Sequence, residues 1–498
     1  GEFITLGAAL FEGEPKKEVQ IKIPLKTLNR HGLIAGATGT GKTITLQVIA
    51  ENMCNAGIPV LLMDLKGDLS GISKQGVLNA KIEERHKAIG INFEPKEIKT
   101  EFLTLSKEPG VRLRATVSEF GPVLFSKILD LNDTQSGIVA VLFKYADDKK
   151  LPLLDLKDFK QLLQYATDGG KVEIQKQYGN IPSASASTIL RKIIELESQG
   201  AEIFFGEKSF DVYDLVRKDN IGKGIASVIR LTDIQDKPKL FSTFMLSLLA
   251  EVYASFPEAG DLEKPKLCIF IDEAHLIFNE ASKALLDQIE SIIKLIRSKG
   301  VGIYFITQNP YDVPDSVLSQ LGLKVQHALR AFTEKDRKAI KKTAENYPTS
   351  TFYKTDEVLT SLGIGQALVT ALNEKGIPTP LAAVHLRAPA SRIGILTPSE
   401  ILENVSTSEL ATKYNETVDR ESAYEILTGK INSSLENKEE EPIEKPKTKQ
   451  KQEKSVLEKA SENTMVRQIG RTVMKEVARG LLGVLGLGGG SKKKKGWF

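Results

Sequence analysis

The eight residues Gly36-Ala-Thr-Gly-Thr-Gly-Lys-Thr43 constrain this chain more than any other stretch. They fit the pattern G-x-x-x-x-G-K-S/T, which at average glycine usage arises by chance in roughly one or two chains of this length in a hundred. The flanks narrow the reading. Leu33-Ile34-Ala35 is a short apolar run suited to a buried strand, and "TITLQVIAENMCNAG" sets Ile44, Val48 and Ile49 at helical spacing ahead of Gly57, a helix-ending glycine. A strand, a glycine-rich loop and a helix in that order make a phosphate cradle. Backbone N–H groups of Gly36, Ala37, Thr38, Gly39, Thr40 and Gly41, and of the first helical turn through Ile44, are expected to converge on phosphate oxygens. Lys42 then meets the β- and γ-phosphates, Thr43 offers its hydroxyl to Mg²⁺, and the helix N-terminus adds its positive end.

Such a loop needs acidic partners to hydrolyse what it binds. The apolar run "LCIFID" ends in Asp272-Glu273, at a strand end where those groups belong. Asp272 is expected to hold the Mg²⁺ shell, and Glu273 to orient and deprotonate the attacking water. Gln308, at the end of the next apolar run "VGIYFIT", is a neutral amide able to bond both the lytic water and the γ-phosphate.

The 498 residues are 41% hydrophobic and 27% charged, ordinary values for a chain that buries a large core. Lys+Arg 68 against Asp+Glu 64 leaves only +4, so global charge neither demands nor excludes nucleic acid, and any basic contact surface is local. Cys54 and Cys268 lie in apolar periodic segments and read as reduced core thiols. No signal-peptide pattern opens the chain, and no apolar run reaches the roughly eighteen residues of a spanning helix. A soluble cytoplasmic protein is expected.

Composition divides the chain. Residues 1–30 read as a strand-rich lead-in, and 31–119 with 201–392 as an α/β core whose alternating strands and helices predict a mostly parallel sheet covered on both faces. Three helical patterns between them, "VLFSKILDLNDTQSGIVAVLFKYADD", "LKDFKQLLQYATDGG" and "ASTILRKIIELESQGAEIF", predict a helical insertion over 120–200. Residues 393–430 form a C-terminal extension. Residues 431–463 are rich in Lys, Glu, Gln, Asn, Ser and Pro without aromatics, and predict a disordered linker. In 464–498, Arg467, Arg471, Lys475 and Arg479 recur every four residues beside an apolar face, a basic amphipathic helix with a short basic tail. That helix suits a protein partner, an anionic membrane, nucleic acid, or packing on its own chain.

Taken together, "GATGTGKT", "MDLKGDLSG", "LDLNDTQSGIVAVLFKYADD", "IDEAHLIF", "IRSKGVGIYFITQNPYDVPDSVLSQLG", "HALRAFTEKDRKAI" and "PASRIGILTP" resemble the HerA-like branch of the HerA/FtsK superfamily. The likeness runs from about residue 4 to 400 and returns in the terminal helix, closest to a bacterial group with a short N-terminus. It implies a RecA-like P-loop core of the ASCE type, with an extra strand between the phosphate-loop strand and the strand of Asp272, and a hexameric ring with ATP between subunits. Ring enzymes of this type complete each site with an arginine from the neighbouring subunit. Arg297, ending the helix after Asp272-Glu273, is the first candidate and Arg330 the second, while Arg392 is expected to reach nucleotide within its own subunit. The resemblance makes the expected activity ATP-driven translocation on DNA, with a homo-hexamer, Mg²⁺ and DNA as partners. A second reading keeps the ATPase but directs it at a protein or membrane complex, anchored through the basic C-terminal helix. HerA proper also carries an N-terminal β-barrel that links it to a nuclease, and the 30 residues ahead of His31 are too few to form it.

Overall fold

In the computed structural model, which describes residues 2–439, every strand belongs to one twelve-stranded sheet. In chain order the strands are β1 Phe3–Phe11, β2 Glu14–Pro24, β3 Gly32–Ala35, β4 Val60–Asp64, β5 Thr100–Thr104, β6 Val111–Arg112, β7 Ala226–Arg230, β8 Leu267–Ile271, β9 Val301–Thr307, β10 Leu323–Gln326, β11 Gln366–Thr370 and β12 Ala382–Leu386. Their spatial order is β2-β1-β12-β11-β10-β3-β9-β8-β4-β7-β5-β6. From β10 to β6 every pairing is parallel, and from β10 to β2 every pairing is antiparallel.

The sequence explains the division. β8 (LCIFI) is apolar throughout, β4 (VLLMD) and β9 (VGIYFIT) are apolar up to a polar last residue, and all three are buried along their whole length, as parallel strands covered on both faces must be. β2 (EPKKEVQIKIP) alternates and lies largely exposed at the antiparallel edge, where its lysines discourage further pairing. β9 lies between β3 and β8, so the extra strand implied by the resemblance is present.

Two groups of residues cluster separately. The first comprises Gly1–Leu113, Phe210–Ser242 and Leu248–Asn415, and it holds the whole sheet. Its core runs through Leu46, Ile49, Met53, Val60, Leu62, Phe270, Tyr304 and Val325. Around the sheet lie α1 Lys42–Asn55, α2 Ala80–Ile89 and two helices that follow β8, namely Lys283–Ile296 and the short His275–Glu280.

The second group comprises Arg114–Ser209, Thr243–Ser247 and, among the described residues, 416–439. The predicted insertion 120–200 falls inside it. Its helices include Val117–Ile128, Asp133–Asp148, Leu156–Thr167, Lys171–Tyr178 and Ser183–Ser198. Capping boxes at Asn132 and Asp155 start two of them, and the Phe125, Phe143 and Phe159 rings pack together, with 4.9 Å between the Phe125 and Phe159 centroids.

One expectation needs correction here. The helix Ala423–Glu439 continues past residue 431, where composition predicts a disordered linker to begin. Its first turn is docked: Tyr424 N–H and the Ser422 hydroxyl both donate to Asp158 Oδ1, and Ala423 and Leu427 are fully buried. A helix already nucleated by packing propagates through Lys, Glu and Asn residues that could not start one. The remainder of the predicted linker and the basic helix at 464–498 lie outside the described residues. Among the described residues no helix is long and apolar enough to cross a membrane.

Candidate nucleotide site

The carboxyl ends of parallel strands are where open α/β sheets bind ligands, because helices begin there and side chains from several strands converge. β3, β9, β8 and β4 end level with one another: Ala35 pairs with Thr307, Phe305 with Ile271, and Ile271 with Met63. The phosphate loop leaves β3 at this edge.

The loop is held from several sides. Ala37 N–H donates to Ala328 O at 2.9 Å, Gly365 N–H donates to Thr40 O at 3.3 Å, and Arg330 Nη2 donates to Thr38 O at 2.8 Å. Beneath it His327 is fully buried, with Nε2 2.8 Å from Thr45 Oγ1 on α1. Burial lowers the His327 pKa to about 4, so the ring is neutral and adds no charge under the loop. Gly41, with φ 106, precedes α1, and Lys42 opens it; Thr43 and Ile44 are half-buried in the same turn. Lys42 is itself buried and donates from Nζ to Gly36 O at 2.6 Å. Burial, aided by the Lys66 charge, lowers its pKa to about 8, while Glu273 and Asp272 oppose that shift through their own charges. The three predicted groups Lys42, Asp272 and Glu273 thus stand within electrostatic reach of one another.

Asp272 follows β8 and is buried, its Oδ1 accepting from Glu273 N–H at 2.8 Å while Oδ2 has no hydrogen-bond partner. Burial, and then the Glu273 charge, raise its pKa to about 7. An orphaned buried carboxylate oxygen beside the phosphate loop fits a bound cation, so the residues present suit the Mg²⁺ that the sequence calls for. Glu273 is held at φ 50, a left-handed conformation rare for a glutamate and common at working sites. Its Oε1 pairs with Lys66 Nζ at 2.7 Å, and His275 Nδ1 lies 3.3 Å from Oε2 without hydrogen-bond geometry. His275 opens the short helix after β8, as a helix-start residue.

The other predicted residues divide. Gln308 follows β9 and is exposed at the same edge. Arg330 is exposed and touches the phosphate loop of its own chain. Arg297 caps Lys283–Ile296 just ahead of β9, so it lies at the opposite, amino-terminal edge of the sheet. Arg392 does not present a free guanidinium: Nη2 pairs with Glu400 Oε1 at 2.8 Å, a salt bridge that the sequence alone did not suggest. The segment around Arg392 is fixed to α1 instead, through Gln47 Nε2 donating to Arg392 O at 3.0 Å and Glu51 accepting from Ala390 and Ser391 N–H.

Sequence reasoning missed His327, Asp64, Lys66 and Asp68. For the last three the signal was present: "MDLKGDLSG" ends a buried strand in an acid, the same pattern that drew attention to Asp272. Asp64 is fully buried, accepts from Gly67 N–H at 2.8 Å and Leu69 N–H at 3.1 Å, and is raised to about 7 chiefly by burial.

Comparison with known proteins bears on the family and the fold. The chain is 22% identical over 374 residues to the DNA double-strand break repair helicase HerA of Sulfolobus acidocaldarius, covering 72% of this chain and 66% of that protein. Against the protein of the same name from Saccharolobus solfataricus it is 24% identical over 364 residues, covering 71% of this chain and 64% of that one. It therefore spans just under two thirds of the length of these relatives. Among solved structures, the plasmid coupling protein TrwB in complex with a non-hydrolysable ATP analogue shares the fold, with a TM-score of 0.50 and 15% identity over 79% of this chain and 98% of that one. The family described as helicase HerA-like C-terminal matches residues 10–493, nearly the whole length, and the chain belongs to that family.

Proposed function

We propose that this chain is an ATP-hydrolysing motor that assembles as a hexameric ring and translocates on DNA. The observation that carries the reading is the meeting of Lys42, Asp272 and Glu273 at one sheet edge beside a phosphate loop. In it, the loop amides and Lys42 take the phosphates, and Thr43 with Asp272 would hold Mg²⁺, which supplies neutralisation of phosphate charge when bound. Glu273 orients the attacking water and accepts its proton, and Gln308 reports the γ-phosphate from the end of β9. Arg297, remote from its own loop, completes the site of a neighbouring subunit; Arg330, already on its own loop, is the alternative finger.

DNA as the track is supported by the relatives, which are DNA double-strand break repair helicases, and by the cationic helix Glu334–Glu345, which carries Arg337, Lys338, Lys341 and Lys342 on an exposed surface. ATP is preferred to GTP on the family resemblance.

The test is turnover by the purified protein, alone and with single- or double-stranded DNA at low salt, where phosphate contacts are not masked by counterions. DNA-stimulated hydrolysis is expected, falling by about 10² or more in Glu273→Gln and likewise in Lys42→Ala. Turnover that both substitutions abolish but DNA leaves unchanged would discard DNA as the track and direct the search to a protein or membrane substrate.

A further inference from the structure

The turn after β4 carries carboxylates that the roles above leave unused. One carboxylate oxygen from each of Asp64, Asp68 and Asp272 lies within 4.8 Å of the other two. They meet because β4 and β8 are adjacent and in register, Met63 beside Ile271, so the residues after both strands emerge together. Asp64 is fully buried and Asp272 only 3% exposed. The Asp64 oxygens are taken by Gly67 and Leu69 N–H, and Asp272 Oδ1 by Glu273 N–H. Asp272 Oδ2 and Asp68 Oδ1 are buried and accept no hydrogen bond.

Among the described residues no lysine or arginine forms a salt bridge with any of the three; the lysine of the same turn, Lys66, pairs with Glu273, and its charge acts on Asp272 and Asp68 without bonding either. Carboxylates gathered out of water repel one another and lose solvation, an expensive arrangement unless a cation is shared between them. Oxygens on opposite sides of Mg²⁺ stand about 4 Å apart, and on opposite sides of Ca²⁺ about 5 Å apart. Three oxygens that all lie within 4.8 Å of one another are compatible with those spans.

We propose that Asp64, Asp68 and Asp272 form a divalent-cation site that binds its ion without nucleotide. The proposal rests on the reading of this edge as a nucleotide site, and it goes beyond that reading in what recruits the cation. Mg²⁺ commonly enters such sites through substrate phosphates and one or two carboxylates. Here three carboxylates of the chain itself hold the ion in advance, two of them from a turn that contacts no phosphate in the roles assigned above.

The test uses the full chain, free of nucleotide, titrated with Mn²⁺ while electron paramagnetic resonance reads the free ion, followed by competition with Mg²⁺. One Mn²⁺ per chain is expected. Asp68→Asn, in a half-exposed turn where folding is not at stake, should weaken binding about tenfold or more. Asp68→Glu should recover part of the loss. Circular dichroism melting checks that each variant is folded. The proposal is overturned if the wild-type chain takes up no Mn²⁺ without nucleotide, or if folded Asp68→Asn binds as tightly as wild type. DNA-stimulated turnover without nucleotide-free Mn²⁺ binding would remove this site and leave the ATPase reading standing. Mn²⁺ binding without turnover would do the reverse.

Discussion

At Gly36 the backbone leaves β3 with φ 153, and a Cβ built there would sit 2.4 Å from the Cβ of His327. Gly36→Ala therefore forces apart the loop and its floor, both already fixed by hydrogen bonds, at a cost of about 1–3 kcal/mol. Urea denaturation should show that loss, and binding of a fluorescent ATP analogue should weaken with it. His31 allows a second prediction at this scale. Ile303 N–H donates to Nδ1 at 2.9 Å, which leaves the proton on Nε2, 2.9 Å from Ile293 O. Burial above all, with the Arg297 charge adding, lowers its pKa to about 4, although the Ile293 carbonyl favours the charged form. Below pH 6.5 the unfolded chain takes up a proton that the folded chain refuses until about pH 4. The unfolded state binds more protons in that window, so stability falls on acidification, by about 2 kcal/mol between pH 6.5 and 5 from this group. His327 and His385, also lowered to about 4 by burial, add loss of the same sign. Urea midpoints at pH 7 and pH 5 check the slope, which should flatten in His31→Asn.

At the scale of elements, α1 is tied to distant chain by several long-range bonds. Glu51, four residues after Gln47, accepts from Ala390 N–H at 2.6 Å, Ser391 N–H at 3.1 Å and the Ser391 hydroxyl at 2.6 Å. Glu51→Ala strands two backbone donors, Ser391 N–H buried and Ala390 N–H partly so, and should cost about 2 kcal/mol. Amide hydrogen exchange at residues 388–392 should quicken in that variant while the central strands stay protected. Sequence periodicity found α1 and the buried strands β3, β4, β8 and β9 because their patterns are continuous and apolar. It did not find β10, four residues of sequence LKVQ, where Gln326 is fully buried and donates to His327 O. Nothing local distinguishes that segment from a loop; it is a strand because β3 lies on one side and β11 on the other.

For the whole molecule, the placement of Arg297 is the informative point. It lies across the sheet from its own phosphate loop, so under the proposed ring it acts only on a neighbour. Arg297→Ala should then reduce turnover by about 10³ or more while ATP still binds. Mixing it with Lys42→Ala should restore part of the activity, since a subunit with an intact loop then meets one with an intact arginine. Absence of recovery in mixtures shown by mass photometry to co-assemble would reassign the finger, with Arg330 next. Finding the partner of Arg392 needed the tertiary structure, because Glu400, which pairs with its guanidinium, offers no periodic or motif signal.

The sequence by itself determined the phosphate loop, the strand-end acids and the alternation of strands and helices. Each of these is written within a dozen or so neighbouring residues, where backbone conformation and hydrophobic period are set locally. The tertiary structure alone decided that β9 separates β3 from β8, that His327 lies under the phosphate loop and bonds Thr45 of α1, 282 positions away, and that Asp64 and Asp68 stand beside Asp272. Those contacts arise from the order in which strands pack, and that order is fixed by the shared burial of apolar surfaces distant in the chain.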